Sequence, residues 1–493
     1  MRMIRWIVLS AVILVSLAGG RTKHESIQAT MAKLRFNNEG LFKIAQFTDL
    51  HWDEASPNCA QTKAVIQHVL EMEQPDLAVV TGDVVTAPPA AEGWRSIARI
   101  FADAKMPWAL TLGNHDDEAG MTRMEVFKLL NGSPYFMGEA GPPIRGSGNY
   151  VLPVLSNKNE EVKALLYCFD THNRPSAHKY GHYDWVHFDQ LNWYREQSSA
   201  YADRNGNNPL PALAFFHIPI REFEEIQHRK SIFGTANEGV ASSNINSGMF
   251  ASFLEMGDVM GAFVGHDHNN DYIGMHYDIA LAFGRTTGID AYGDLERGAR
   301  IIVLHEGERR FDSWICTPKG TELTYYYPSG LSAEEEQNMH YLPAKAGNSQ
   351  KEGVYYTYYE GGRLKQLADT VRAKRVRSGT IDRLTLDIAD VRDSFAVVFK
   401  GMIKIPERGV YRFYTYSDDG SKLSIDGRVV VDNDGSHSAQ RSEGKVALEA
   451  GFHDFELAYF DDHMGEILEV GYASRSIPEQ VLPANILFMR GDN

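Results

Sequence analysis

Residues 107–118 read PWALTLGNHDDE. A short apolar run, the pattern of a buried strand, ends in Gly113, and Asn114, His115 and Asp116 follow at once. Turn chemistry accounts for Gly113, Asn114 and Asp116. It leaves His115 unexplained, and the rest of the chain decides between a polar turn and a reactive site.

The same arrangement recurs. Asp49 and His51 follow KIAQFT, Asp83 follows LAVVTG, His217 follows ALAFF, and His266, Asp267 and His268 follow AFVG. Between these runs lie helical patterns such as TKAVIQHVLEMEQ and WRSIARIFADA. A third is expected from Trp185 to about Ser199. Strands alternating with helices imply an α/β layered domain, in which the carboxyl ends of neighbouring strands converge on one crevice. Five strand ends then deliver one cluster of imidazoles, carboxylates and an amide. These donor types suit zinc, iron and manganese, and they outnumber what one four-coordinate ion uses. Each motif alone is a weak signal; a polar strand-end turn or a satisfied core histidine explains any one of them.

Taken together, D-x-H, G-D, G-N-H-D, H and G-H-x-H resemble the calcineurin-like metallophosphoesterases over most of Leu41 to Cys316. FFHIPI, GHDHNNDY and GRTTGIDAYG are similar to a purple-acid-phosphatase-related branch. The resemblance implies a two-sheet α/β sandwich flanked by helices. It implies that Asp49, His51 and His268 hold one metal, that Asn114, His217 and His266 hold the other, and that Asp83 bridges them. His115 would sit over the phosphoryl group, with Asp116 orienting it; Asp117 and Glu118 gain no role and read as loop surface. Purple enzymes carry a Tyr three residues after the bridging Asp. Thr86 stands there, so no iron–tyrosinate centre is expected, and the two divalent ions are Mn, Zn or Fe. Two such ions make hydroxide available near neutral pH for in-line attack on phosphorus, and His115 is the candidate acid for the leaving oxygen. Arg285 and His172 are candidate substrate-binding residues, against the plainer readings of a loop Arg and a turn His.

At 493 residues the chain exceeds one core, and at least two domains are expected. After a turn-rich stretch, 318–346, read as a linker, helical periodicity fades. Tyr-rich, β-branched segments such as GVYRFYTYSDDGS and KLSIDGRVVVDNDG take over and indicate an all-β sandwich. From about Gly347 to Phe488 this half resembles the lectin-like β-sandwich domain named after the toxin protective antigen. That resemblance implies glycan or cell-wall polysaccharide binding, with calcium at Asp418 and Asp419; a type I turn is the alternative for that pair. The expected organisation is a signal peptide at 1–20, a phosphoesterase domain at 39–317, the linker, and the β-sandwich at 347–490.

The first 20 residues place Arg2 and Arg5 before an apolar run that closes on Ala18-Gly19-Gly20, the pattern of a secretory signal, with an uncleaved anchor as the alternative. An exported protein, periplasmic or secreted, with no transmembrane segment once mature, is expected. The net charge of −16 argues against nucleic acid as a partner. Three cysteines without CxxC spacing make neither a disulfide framework nor a zinc site. GxSxG and P-loop patterns are absent from the sequence. The leading expectation is a dimetal hydrolase of a small phosphorylated substrate, phosphatase ahead of phosphodiesterase. The alternatives are a phosphodiesterase or nucleotide hydrolase, and a carbohydrate-binding protein whose phosphoesterase half is a silent scaffold.

Overall fold

The structure is a computed structural model that describes residues 33–229, 231–345 and 351–490. The expected signal peptide lies outside the described residues. Among them, no helix is long and apolar enough to cross a membrane.

Two sheets form the α/β part. The first contains β1 (Leu41–Phe47), β2 (Leu77–Thr81) and β3 (Trp108–Thr111), and the second contains β4 (Tyr150–Leu155), β5 (Val162–Cys168), β6 (Ala212–Phe215), β7 (Val259–Val264), β8 (Ile273–His276) and β9 (Ile279–Phe283). The chain then returns to the first sheet with β10 (Ala299–His305), β11 (Phe311–Thr317), β12 (Gly320–Tyr327) and β13 (Leu331–Ser332). The orders are β13-β12-β11-β10-β1-β2-β3 and β4-β5-β6-β7-β9-β8. Parallel pairing of β1, β2 and β3, and of β5, β6, β7 and β9, points five polar-tailed strand ends the same way within their sheets. Strands β2, β3, β6 and β7 are wholly buried, so they read as nearly continuous apolar runs.

One core packs between the sheets, joining Ile44, Val79 and Ile302 to Leu213, Phe215 and Phe263. A second lies on the other face of the second sheet, where α4 (Phe188–Arg204) and the helix Met249–Met256 cover it through Tyr194 and Phe253. Helices α1 (Cys59–Glu73) and α2 (Ala90–Asp103) add Ile66, Val69, Trp94 and Ile97 to the first core. Helix α3 (Arg123–Leu130) starts at a capping box in which Thr122 accepts from Glu125 N–H and Glu125 accepts from Thr122 N–H. Helix α4 begins at Phe188 and not at Trp185, because the Gln190 side chain accepts the His187 N–H and closes the helix start there.

The stretch expected as a linker is largely part of the fold. Residues 320–327 pair with β11, so Tyr325 and Tyr327 are buried while Tyr326 faces outward. The C-terminal part is all-β. One sheet runs Lys374–Ile381, Val354–Glu360, Phe395–Ile405, Gly451–Asp461, Ser421–Ile425 and Arg428–Asn433; a four-stranded sheet contains Gln440–Leu448, Gly409–Asp418, Ile467–Ser474 and Gln480–Val481. Phe399, Phe413, Leu457 and Tyr472 fill the space between them. The two parts meet through Leu331, Val410 and Ala447. Buried Arg412 donates to Ser329 O at 3.0 Å, and Lys445 donates to Gly330 O and to Glu335.

Candidate metal centre

The ends of β1, β2, β3, β6 and β7 meet in one buried cluster. Ligand-type atoms of Asp49, His51 and His268 lie within 4.8 Å of one another, as do those of Asp83, His217 and His266. The groups adjoin: His217 Nε2 is 3.2 Å from Asp83 and 3.9 Å from Asp49, while His51 Nε2 is 3.9 Å from Asp83. Asn114 is buried in the loop after β3, where the next N–H, that of His115, donates to Asp83 Oδ1 at 2.8 Å.

The backbone is bent to make this cluster. Asp49, His51, Asp83 and His266 all have left-handed φ, at 53°, 44°, 48° and 81°. Non-glycine residues avoid that region, and such outliers concentrate at functional sites. The glycines serve close approach. A Cβ on Gly113 would collide with the carboxylate and N–H of Asp83, so its role is to let two loops touch rather than to permit a sharp turn. A Cβ on Gly82 would strike the His217 ring.

Two imidazoles are oriented from behind. His217 Nδ1 donates to Thr81 O at 2.7 Å and His268 Nδ1 to Tyr292 O at 3.2 Å, which leaves each Nε2 facing the carboxylates. Tyr292 also stacks on His268 at 3.9 Å, and Tyr183 meets His266 edge-on at 4.6 Å. Neither tyrosine carries a sequence signal that would have singled it out.

Four atoms in the cluster are buried without a hydrogen-bond partner: His51 Nε2, Asn114 Oδ1, His217 Nε2 and His266 Nε2. An orphaned polar atom in a native interior calls for an explanation, and four converging on two carboxylates fit a pair of cations. Imidazole, carboxylate and amide oxygen are the donors such ions take.

Electrostatics follow the geometry. Burial by itself would raise the Asp49 carboxyl, but His268 and His217 hold it down at about 2. Burial works against ionisation of Asp83 too, and His217 overrides it, keeping the carboxyl well below its ordinary range. Burial disfavours a charged His217, yet Asp83 and Asp49 raise it to about 9. His266 is pushed down to about 3 by burial and then by His217. The carboxylates and His217 thus favour one another's charged forms against the pull of burial.

His115 stands at the rim, partly exposed, with its ring 5.9 Å from that of His51. Its partner is Glu118, whose carboxylate is 2.6 Å from Nδ1. Burial lowers the His115 pKa, but Asp83 and Glu118 outweigh it and the net shift is upward. Asp116, expected to orient His115, does not touch the ring. Its fully buried carboxylate accepts from Val84 N–H at 2.7 Å, Val85 N–H at 3.1 Å and Gly113 N–H at 2.7 Å, tying the β2 and β3 loops together. An inward-turned Asp116 cannot also reach outward, and Glu118, three residues from His115, takes that place.

Arg285 and His172 do not reach the cluster. Arg285 is buried, and its guanidinium is taken up by Asp271, Glu322 and Glu296 O. His172 Nε2 bonds Gln190 at 2.8 Å. The arginine nearest the β3 loop is Arg123, which pairs with buried Asp170 and donates to Gly113 O at 2.8 Å. In the β-sandwich, Asp418 accepts from Ala439 N–H, and Asp419 accepts from His437 and Asp462 N–H. Among the described residues, the groups of three or more His, Cys, Asp or Glu at metal-binding spacing are the two at the strand ends.

Residues 42–270 match the family described as calcineurin-like phosphoesterase, and residues 350–483 match the PA14 domain. "Probable inactive purple acid phosphatase 29" of Arabidopsis thaliana is 33% identical over 321 residues, which are 58% of this chain and 82% of that protein. "Phosphatase DCR2" of Saccharomyces cerevisiae is 30% identical over 322 residues, covering 57% of this chain and 54% of that one. The crystal structure of the PA14 domain of the antifreeze protein MpAFP overlaps 30% of this chain and 96% of its own, at 18% identity and a TM-score of 0.25.

Proposed function

The chain belongs to the calcineurin-like phosphoesterases, in the company of purple acid phosphatase homologues and with a C-terminal PA14 domain, and from that premise we propose that it hydrolyses phosphate esters at a centre of two divalent cations. The observation that carries the proposal is the set of four orphaned buried atoms around Asp49 and Asp83. Asp49, His51 and His268 would hold one ion and Asn114, His217 and His266 the other, with Asp83 between them. Mn, Zn and Fe all accept these donors. Such ions supply Lewis acidity for the phosphoryl oxygens and acidify water.

The remaining steps fall to the chain. Thr81 O and Tyr292 O fix the tautomers of His217 and His268, so both rings present Nε2. Glu118 accepts from His115 Nδ1–H, which leaves Nε2 to carry the second proton. That proton is the one His115 gives to the departing ester oxygen, and Asp83 and Glu118 favour the protonated ring.

The name of the Arabidopsis relative, which calls it inactive, favours a second reading, a silent scaffold that carries a binding domain. Metal analysis of the full chain, coupled to hydrolysis of p-nitrophenyl phosphate and its bis-ester, separates the two. The proposal expects about two metals per chain, turnover by the parent, and loss of turnover in Asp83→Asn and His115→Ala. An inactive parent with Mn, Zn and Fe, or variants equal to it, refutes it.

For the PA14 domain we infer glycan binding at the cell surface, with calcium beside Asp418 and Asp419. Supporting this, Asp461 is fully buried with Oδ1 unpartnered, and its carboxyl is pushed up to about 7, first by burial and, among its charged neighbours, by Asp419 and Asp393. Such uncompensated acidity suits a hard dication. The signal-like residues 1–20 support export, and a mature N-terminus beginning near residue 21 in the exported fraction tests it.

A further inference from the structure

Beside the metal centre lies a cleft of about 570 Å³ that none of the roles above uses. Trp185, Tyr180, His187, Arg145 and Ile245 line it. Its place follows from the chain. Tyr183 packs against His266, and Trp185 is two residues on, so their Cα atoms are at most about 7.6 Å apart. Asp184, Trp185 and Ile245 also line the neighbouring crevice with Ile218, the residue after His217. The cleft therefore flanks the His217 and His266 side of the cluster.

Its chemistry is unusual for this molecule. Trp185 stands edge-to-face with Tyr180 at 5.9 Å and tilts against His187 at 4.8 Å. Arg145 Nη1 lies 2.6 Å from His187 Nδ1, and Lys179 Nζ sits 4.9 Å over the Tyr180 ring. Asp184 also lines the cleft but is paired with His187 Nε2 at 3.3 Å, and aromatic rings edged by Arg145 and Lys179, in a chain of net charge −16, make a local surface for a flat group attached to an anion. Tyr180 and Ile245 are exposed and Trp185 half-buried, so these apolar side chains are open to an incoming ring. Arg145 is exposed, and its backbone N–H is anchored to Asp189 at 3.0 Å, which fixes the base of the side chain while the guanidinium reaches over the cleft.

An ester whose phosphoryl group is held between the two cations must send the rest of the molecule out of the cluster. We propose that the Trp185 cleft is the leaving-group subsite and that it selects esters bearing a planar heteroaromatic ring, nucleotides in chemical class, over alkyl phosphates. The inference rests on the phosphoesterase reading for its catalytic half. The ring-binding half stands independently of it, because stacking needs no metal and tolerates any base.

Two measurements on the full chain test it. The first is the ratio of kcat/KM for adenosine 5′-phosphate to that for glycerol 1-phosphate in metal-loaded protein. Trp185→Ala should lower this ratio about tenfold or more, Trp185→Phe should recover most of it, and Tyr180→Ala should reduce it less. The second is calorimetric binding of adenosine, which has no phosphate, to metal-free protein, with binding lost in Trp185→Ala. Hydrolysis of both esters with a ratio indifferent to Trp185 and Tyr180 overturns the subsite and leaves the phosphoesterase reading intact. Adenosine binding through Trp185 without any hydrolysis upholds the ring subsite and overturns the phosphoesterase reading. A Trp185→Ala variant that fails to fold leaves the decision to Trp185→Phe and Tyr180→Ala, where an unchanged ratio again overturns the proposal.

Discussion

Replacing Asp116 or Glu118 should produce two different phenotypes, although both carboxylates flank His115. Asp116→Ala strips three buried N–H groups of their acceptor, those of Val84, Val85 and Gly113. An unsatisfied buried donor costs about 1–3 kcal/mol. Part of that loss is offset, because the carboxyl itself is held at some expense. Burial and then Asp83 push it up to about 6. A water drawn into the vacated space can satisfy one more donor. The net destabilisation expected is about 2–4 kcal/mol, and because the tied loops carry Asp83 and Asn114, metal occupancy should fall with it. Glu118→Gln removes an exposed partner from an exposed ring, a pair worth less than about 1 kcal/mol to the fold. It should leave the denaturation midpoint and the metal content alone and lower kcat by about tenfold, a fraction of the 10²–10⁴ a general acid contributes. Urea denaturation, metal stoichiometry and p-nitrophenyl phosphate kinetics on both variants make the comparison. If Asp116→Ala keeps its stability and metals and loses only kcat, while Glu118→Gln matches the parent, the assignment of the two carboxylates is wrong.

Four further outcomes are expected. Arg123→Ala should cost about 3–5 kcal/mol, because Asp170 is left buried without its cation, and a loss under 1 kcal/mol in urea would contradict the pairing. Burial would raise the Asp170 carboxyl, but Arg123 holds it below its ordinary value. The unfolded chain therefore binds more protons near pH 4, so this stabilisation is present above the unfolded pKa of 3.8 and is lost as pH falls below it; Asp170→Asn should flatten that part of the stability profile. Arg412→Ala should separate the α/β and PA14 transitions in calorimetry, since it removes the bond to Ser329 O and leaves Glu443 facing the interface with less charge opposite it; a single unchanged transition would count against a fixed interface. Calcium should raise the melting temperature of the parent, and Asp461→Asn should raise the calcium-free value and shrink the gain, whereas an undiminished gain would separate Asp461 from the ion.

The α/β layering was legible because most of the strands that define it are apolar runs, whereas the pairing of two sheets entered only with the family resemblance; the cluster was legible because its residues directly follow those runs. IALAF, residues 279–283, is as apolar and as buried, but no ligand-type residue follows it, and it passed without notice as a strand. Residues 320–327 carry Thr, Tyr, Pro and Gly neighbours that read as turns. The alternation of Tyr325 and Tyr327 inward with Tyr326 outward is a strand signal that composition hides. Adjacent carboxylates defeat sequence reasoning for another reason. Asp116, Asp117 and Glu118 are chemically alike, and only the loop conformation decides which one turns inward to backbone amides and which meets His115. Arg285 stayed open between two readings for a similar reason, because a guanidinium near a glycine-rich loop has the same sequence signature whether it faces substrate or, as here, Asp271.

The left-handed backbone at Asp49, His51, Asp83 and His266 bears on whether this centre is silent. Each such residue costs about 1–3 kcal/mol, and each of the four orphaned atoms adds a desolvation cost of similar size. Asp49 and Asp83 bring two carboxylates into the same buried space. A scaffold kept for its shape would be more stable with these positions relaxed: a glycine at 49 or 83, an apolar side chain at 266, a hydrogen-bond partner for Asn114. Cations bound to the folded chain and not to the unfolded one offset such costs through their binding free energy. The geometry at the strand ends is therefore that of a site whose stability depends on its ions, and a chelator should lower the melting temperature of the α/β part while leaving a variant with both Asp49 and Asp83 replaced by Asn nearly insensitive.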